Sequence, residues 1–351
     1  MSKFITFGHP GLFDDFIQTL DVSAFETPLY RIGKLIEWKL FEKTVTAAVL
    51  SIPKGPGGRP RFVPLLMFKV LILQRLHSLG DDDTCFQITD RNSFRAFLGL
   101  TPADIVPDGQ TISDFREDLI AAKCFDSLFE TFLKHLQDKH GLALAKAGVM
   151  VDASFVEVPR QHNTREENEA IKAGDIPATF AETPKRLAHK DTDALWAKKN
   201  KETFYGFKNH VKVDVADKLI LDARVTSAEV HDSQVMSDLI KPGDNKVYAD
   251  SAYIGQPIAE DLKAKGVENE IHERGYREHP LSEAQKQHNR EKSGIRARVE
   301  HVFGQMKGSM KALYQRCIGM ERNESAIKLA NLVYNMIRFE QITRLKLAVR
   351  A

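Results

Sequence analysis

The sequence predicts an α+β chain, a helical N-terminal region followed by a domain with a mixed sheet and flanking helices. Apolar residues recur at helical spacing up to about residue 145, and from Lys146 onward the pattern changes to short apolar runs and strict alternation. Gly and Pro clusters punctuate the periodic segments. At 351 residues, 42% hydrophobic and 28% charged, the chain can bury one large core or two smaller ones. That balance excludes the disordered and collagen-like classes.

In the region 1–145, Leu12 to Leu20 and Tyr30 to Leu50 carry helical spacing, and Pro53 to Pro60 breaks it. The Gly58-Arg59-Pro60-Arg61 stretch is reminiscent of a minor-groove hook, but the motif is short and reads first as a plain loop. Val63 to Leu76 is the greasiest run, but it is short and interrupted by Lys69 and Gln74, so it predicts a buried helix and no membrane span. Two short helices follow, Asp90–Leu100 and Pro107–Arg116, with the spacing of a helix-turn-helix unit. Thr111 or Ser113 is placed to cap the second, leaving Gln110, Ser113 and Arg116 to face a DNA groove or backbone. A bundle with these residues on a solvated face fits the same pattern.

The region 146–315 begins with a strand in Ala147–Val158. A hairpin follows, in which Tyr205, Phe207, Val211, Val213 and Val215 alternate with Lys208, His210, Lys212 and Asp214, one face buried and one wet. After a turn at Ala216-Asp217-Lys218 come a strand from Leu219 to Val225, a helix from Asp232 to Ile240, a strand from Lys246 to Ala249, a helix from Gln256 to Lys265 and a strand near Val267–His272. This order predicts an RNase H-like domain, in which the first and fourth strands lie side by side. Between the first two strands, 159–201 is polar and too long for an ordinary loop, which predicts a mobile or DNA-ordered insertion. Residues 316–351 read as a helical extension.

Three widely spaced cysteines, Cys85, Cys124 and Cys317, indicate neither a disulfide framework nor a zinc cluster, and a reducing cytoplasm suits them. No basic-then-apolar leader pattern stands at the start. The formal charge of +2 hides an asymmetry, because Lys286–Arg316 holds eight Lys or Arg against two acids, Glu291 and Glu300. A solvated helix face explains such a run, and so does a surface that grips phosphates.

Three acids stand out in context. Asp152 ends the run Val149-Met150-Val151, Asp250 follows Lys246-Val247-Tyr248-Ala249, and Glu300 lies inside the basic helix Arg296 to Lys307. Each of the first two alone is also the residue that starts a turn or caps a helix. On the helix, Ile295, Val299, Val302, Met306 and Met310 form a buried stripe, with Arg296, Glu300 and Lys307 on a neighbouring face. Three hard oxygen donors at one sheet edge can hold two Mg2+ ions about 3.5–4 Å apart, the arrangement that activates a hydroxyl and stabilises a leaving oxygen at a phosphodiester.

With Asp250-Ser251-Ala252-Tyr253, and with Arg296, Glu300 and Lys307 spaced by three and six residues, the chain resembles a bacterial insertion-sequence DDE transposase of the IS-five group. The similarity runs from about Gly58 to Leu332. It departs from the family pattern at Ser293, where a tyrosine precedes the arginine by three positions. Asp191-Thr192-Asp193-Ala194-Leu195-Trp196 matches another family segment, in which Asp193 has either an accessory role or that of a cap with Trp196 as anchor. The resemblance implies Asp152, Asp250 and Glu300 as catalytic metal ligands, with two Mg2+ ions per site and Mn2+ able to substitute. Arg296, Arg298 and Lys307 on the basic helix are then expected DNA contacts, with Arg116 of the short N-terminal helix; Lys208 and His210 on the wet hairpin face, and His231 beside Asp232, are DNA or proton-transfer groups or plain surface residues. Its implied partners are double-stranded DNA, terminal inverted repeats recognised by 1–145, target DNA, and further copies in a homodimer or higher oligomer on DNA. No membrane is implied, and the place of action is the cytoplasm, at the bacterial nucleoid.

Two rival functions remain in the residues. A phosphohydrolase using Asp152 as nucleophile wants a second Asp two positions on, where Ser154 stands. A DNA-binding protein without catalysis, derived from a transposase, needs no acidic triad.

Overall fold

The computed structural model describes residues 4–5, 25–50, 60–277 and 279–345. The expected helix Leu12–Leu20 and most of the Pro53–Pro60 break lie outside them. The described chain falls into two compact units, one of residues up to Lys139 together with those from Leu332, the other His140–Asn331.

The first unit contains α1 (Pro28–Leu35), α2 (Lys39–Leu50), α3 (Pro64–His77), α4 (Asp81–Asp90), α5 (Asn92–Leu98), α6 (Gly109–Ala121) and α7 (Phe125–His140). The helix expected over Tyr30–Leu50 is two helices, because Ile36 is extended and ends α1. Helix α3 is buried along most of its length, from Leu66 to Leu73, as its apolar run requires. Phe41 packs its ring 5.1 Å from Phe68 and 6.2 Å from Phe132, so three helices share one aromatic centre. Asp108, and neither Thr111 nor Ser113, caps α6 by accepting the Thr111 N–H at 2.7 Å. Arg61 does not extend as a hook: it donates to the Val49 carbonyl at 2.6 Å and pairs with Asp118 at 3.3 Å. Among the described residues no helix is long and apolar enough to cross a membrane.

The second unit is built on a six-stranded mixed sheet. Its strands are β1 (Val149–Glu157), β2 (Leu195–Lys199), β3 (Glu202–Asp214), β4 (Ile220–Ser227), β5 (Lys246–Tyr248) and β6 (Glu268–Asn269). They run in the order β2-β3-β1-β5-β6, with β4 also pairing β3. β1 is antiparallel to β3 and parallel to β5. Leaving β2 aside, this is the RNase H-like arrangement, and the two strands expected side by side are neighbours.

Helices α8 (Arg165–Lys172), α9 (Ala178–Ala181) and α10 (Pro184–Ala188) precede β2. Helices α11 (Met236–Leu239), α12 (Gln256–Lys265), α13 (Glu283–Arg296), α14 (Arg298–Lys307) and α15 (Met320–Arg344) complete the chain. One core of Val149, Val151, Val247, Ala249, Met236, Leu239 and Leu262 covers one part of the sheet. A second, of Val156, Tyr205, Phe207 and Ile327, covers another.

Four expectations are corrected here. The helix Asp232–Ile240 is a 3-10 turn, Asp232–Gln234, followed by the single-turn α11. The strand near Val267–His272 is only two residues long. The segment 159–201 is structured: Thr164 and Glu167 form a capping box on α8, and Phe180 and Ile171 are buried. The supposed wet face of β3 is covered, with Lys208, His210, Lys212 and Asp214 all buried. The segment 230–244 folds over that face and neutralises it. Lys208 pairs with Asp232 at 2.8 Å, and Lys212 pairs with Asp244 at 3.1 Å. Polar alternation therefore marked paired charges inside the protein instead of solvent.

Candidate catalytic site

Asp152 is not at a strand end. It is the fourth residue of β1 and sits opposite Val211 of β3, so the sheet fixes its backbone on one side. On the other side the parallel register pairs Met150 with Tyr248. Two residues further along both chains stand Asp152 and Asp250, and this register brings the two carboxylates to one place. Asp250 caps the 3-10 turn Ser251–Tyr253, its Oδ1 accepting the Ala252 N–H at 2.8 Å. One residue type therefore ends the strand, begins the turn and leaves a second carboxylate oxygen uncommitted to that cap.

Burial pushes the Asp152 carboxyl up to about 6, and the neighbouring Asp250 charge adds to the rise. The Ala153 N–H, Arg296 and Lys199 oppose it. Cations and N–H groups thus only partly compensate this carboxylate. Arg296 is its direct partner, with Nη1 3.5 Å from Oδ2. The Arg296 Nε is buried without a hydrogen-bond partner. Helix α13 is held in place one turn earlier, where buried Lys292 pairs with Glu270 at 3.1 Å and donates to the Ile271 carbonyl at 3.3 Å. Ser293, at the position of the family tyrosine, hydrogen-bonds His272 Nε2 at 3.3 Å.

The basic helix is not continuous. At Ala297 (φ −55°, ψ −16°) the ladder tightens, and Glu300 N–H donates to the Ala297 carbonyl three residues back. That is a 3-10 spacing, which changes the angle between successive faces. Beyond it Val299, Val302 and Met306 are buried as expected and Glu300 is exposed, while Ile295 before the break is only half-buried. The structure therefore joins Asp152, Asp250 and Arg296. Among the described residues, it gathers no group of three His, Cys, Asp or Glu side chains that could hold a metal ion. Asp152 and Asp250 by themselves fit a hard divalent cation: both offer oxygen donors, and the buried carboxylate lacks full compensation.

The expected DNA contacts divide. Lys307 ends α14 and is exposed. Arg298 is half-buried and donates to the Ala216 carbonyl at 3.2 Å. Lys208 is buried, its ammonium shared between Asp232 and the Val230 carbonyl. Arg116, in the first unit, is engaged with Asp81 and Gln74. His210 is fully buried and hydrogen-bonds Thr226 at 2.9 Å, while His231 stays exposed and caps the turn Asp232–Gln234. Asp193 caps a distant helix: its Oδ2 accepts the Met320 N–H, at the start of α15, at 2.6 Å. Trp196 lies against Tyr205, ring centroids 4.8 Å apart.

Sequence reasoning missed two neighbours of the site. Tyr253 is buried with its hydroxyl unpartnered, and the charges of Asp152, Asp232, Asp250 and Arg296 all act on it. Lys199, on the inserted strand, acts on Asp152 from 47 positions away in sequence. Tyr253 stands in the Asp250–Tyr253 motif, which marks its nearness to Asp250 but not its burial, while nothing in periodicity signals the approach of Lys199.

Two family models match the chain. Residues 18–118 match a family described as a transposase domain, and residues 144–336 match the transposase DDE domain. A solved structure, the cryo-EM structure of a piggyBac transposase synaptic complex with hairpin DNA, aligns over 92% of this chain and 77% of its own. Its sequence identity is 11% and its TM-score 0.44. The DDE match spans more than half of the chain and contains Asp152, Asp250, Arg296 and Glu300, and the protein belongs to the transposase DDE-domain family.

Proposed function

We propose that this transposase is of the IS-five group, that it cuts the ends of an insertion sequence in double-stranded DNA, and that it joins the freed 3′ end to target DNA. The observation that carries the reading is the Asp152–Asp250 pair set by the β1–β5 register, with Arg296 against Asp152. Asp152 and Asp250 would hold Mg2+, with Mn2+ able to substitute, and Glu300 would supply the third carboxylate. Two divalent ions held there would supply Lewis acidity to phosphodiester cleavage and transfer.

The chain's own residues do the rest. Asp152, ionised in a poorly compensated position, draws cationic charge to the sheet. Arg296 offsets part of that charge and offers its guanidinium to a DNA phosphate. Lys307, exposed at the end of α14, binds the backbone further along. The helical N-terminal region recognises the terminal inverted repeats, and a homodimer or higher oligomer assembles on DNA at the nucleoid.

The test is cleavage of a duplex carrying the element's own end, with Mg2+ or Mn2+. Asp152→Ala, Asp250→Ala and Glu300→Ala should each abolish cutting while leaving DNA binding and the fold intact. Near-normal cutting by one variant removes that residue from the site, and cutting in EDTA removes the metal from the reaction.

A further inference from the structure

We propose that the tip of the β2–β3 hairpin, Lys198 to Lys201, grips the DNA backbone beside the acidic pair, with Lys199 the residue that reaches the phosphate nearest the cut. This rests on the transposase reading above and adds a DNA-holding element to it.

The hairpin is closed by a two-residue turn at Asn200-Lys201, with Lys199 paired to Glu202 and Asn200 at φ 57°. Its tip is exposed from Lys198 to Thr203 and carries Lys198, Lys199 and Lys201. Among the described residues none of these three lysines forms an ion pair with an acid, whereas Lys208 and Lys212, further along β3, are both paired. The exposed tip therefore carries three lysines against one acid, Glu202, a net positive charge left to solvent.

Its base is fixed. Phe204 stacks on Phe155 of β1 with ring centroids 4.1 Å apart and planes 2° from parallel, and Lys208 lies over the other partner of that stack, Phe155, at 5.1 Å. On the neighbouring strand Trp196 packs on Tyr205, and Arg160 lies 5.8 Å from the Trp196 ring. At Gly206 the chain passes so close to β1 that an added Cβ would stand 2.4 Å from the Val156 carbonyl oxygen. An anchored stem with a charged tip suits a backbone clamp, because the ordering cost is met before DNA arrives. The stack sets the direction of the tip: it lays Phe204, two residues from Glu202 of the tip, over Phe155, three residues from Asp152 on β1, and in keeping with that the Lys199 charge acts on Asp152.

A different role for these lysines is protection of an exposed edge, since β2 ends the sheet and charged residues deter edge pairing between copies. That role predicts self-association of lysine-free variants and no change in DNA binding. Phosphate contact predicts the reverse.

The experiment uses the full chain and two duplexes of equal length, one with the element's end and one of random sequence. The triple variant K198Q/K199Q/K201Q should bind both more weakly, by about tenfold or more near 0.1 M salt, and lower the salt slope by about 2–3. At saturating DNA, Lys199→Gln alone should slow cutting, while Lys198→Gln and Lys201→Gln should act through affinity. On wild-type protein, an amine-modifying reagent followed by mass spectrometry should show Lys198, Lys199 and Lys201 protected by DNA, a readout that needs no variant. An unchanged slope together with unprotected lysines overturns the proposal, as does a triple variant whose main defect is self-association. Wild-type protein that binds duplex without cutting would remove the catalytic reading, and the slope and protection would still decide the hairpin. Wild-type protein that binds neither duplex overturns both.

Discussion

The Arg296 guanidinium lies 3.5 Å from the carboxylate of Asp152, and the two residues are 144 positions apart in the chain. The contact is long for a charge-assisted hydrogen bond, and burial still holds the Asp152 carboxyl up to about 6. The site therefore keeps a partly uncompensated charge at neutral pH, at a cost to stability.

Asp152→Asn should raise the melting temperature of metal-free protein at pH 7 while abolishing cleavage. Because the folded-state carboxyl sits above its ordinary 3.8, ionising Asp152 destabilises the fold. This penalty is absent below about pH 4 and complete above about pH 6, at most about 2–3 kcal/mol. Thermal melts in EDTA across that window should show the variant's advantage growing with pH. A gap that is flat or shrinks with rising pH would contradict it.

Lys307→Ala should weaken binding to cut and uncut ends alike and lower the salt slope by about one unit. Its effect on cleavage should fade at saturating DNA, unlike that of Glu300→Ala. If affinity and slope are unchanged, Lys307 serves only the helix, where a surface charge contributes about 0–1 kcal/mol.

His210 predicts an acid-side loss of stability. Burial first, and the Lys208 charge last, hold its imidazole down to about 4, against the opposing pull of Asp232. The folded state therefore binds this proton less readily than the unfolded chain. The resulting penalty is absent well above pH 6.5 and grows as pH falls toward 4. His210→Gln, which retains a polar group for Thr226, should flatten that part of the stability curve in urea titrations.

The ion pair of Lys212 with Asp244 is almost fully enclosed, with 7% and 6% of the side chains exposed. Asp244→Ala should cost about 3–5 kcal/mol by stranding a buried ammonium. The double change Lys212→Met with Asp244→Leu should cost much less, which a double-mutant cycle would read.

Gly206 has φ 141°, and a methyl group there would meet the Val156 carbonyl. Gly206→Ala should therefore destabilise the protein by about 3 kcal/mol or more, through backbone strain and the clash together. Denaturant unfolding gives the value, and a loss below about 1 kcal/mol would mean that the hairpin swings away easily.

Much of this was legible in the sequence because burial leaves period and punctuation behind. The run Val149–Val151, the apolar helix α3 and the helix from Gln256 to Lys265 announce themselves, and with them the strand order that joins Asp152 to Asp250. Charge was harder to read. Lys208, Lys212 and Asp214 look like solvent residues along β3 and are buried, since their partners come from 20 to 70 residues away. The break at Ala297 escaped for another reason. One i,i+3 bond in place of an i,i+4 bond leaves the apolar stripe of α14 intact while changing where Glu300 stands relative to Arg296.

The bonds from Asp191 and Asp193 to the start of α15 have a consequence for how this domain can be shortened. Asp191 accepts the Gly319 N–H at 3.1 Å and Asp193 that of Met320 at 2.6 Å, so residues within the long inserted segment satisfy donors at the entry to a helix more than 100 positions later. The segment looks like a detachable addition between β1 and β3, yet the domain depends on it for a helix cap. Trimming it to a plain hairpin loop would not return a minimal sheet-and-helix enzyme. It would leave α15 with an uncapped start, and a shortened relative would need to supply those two carboxylates from somewhere else.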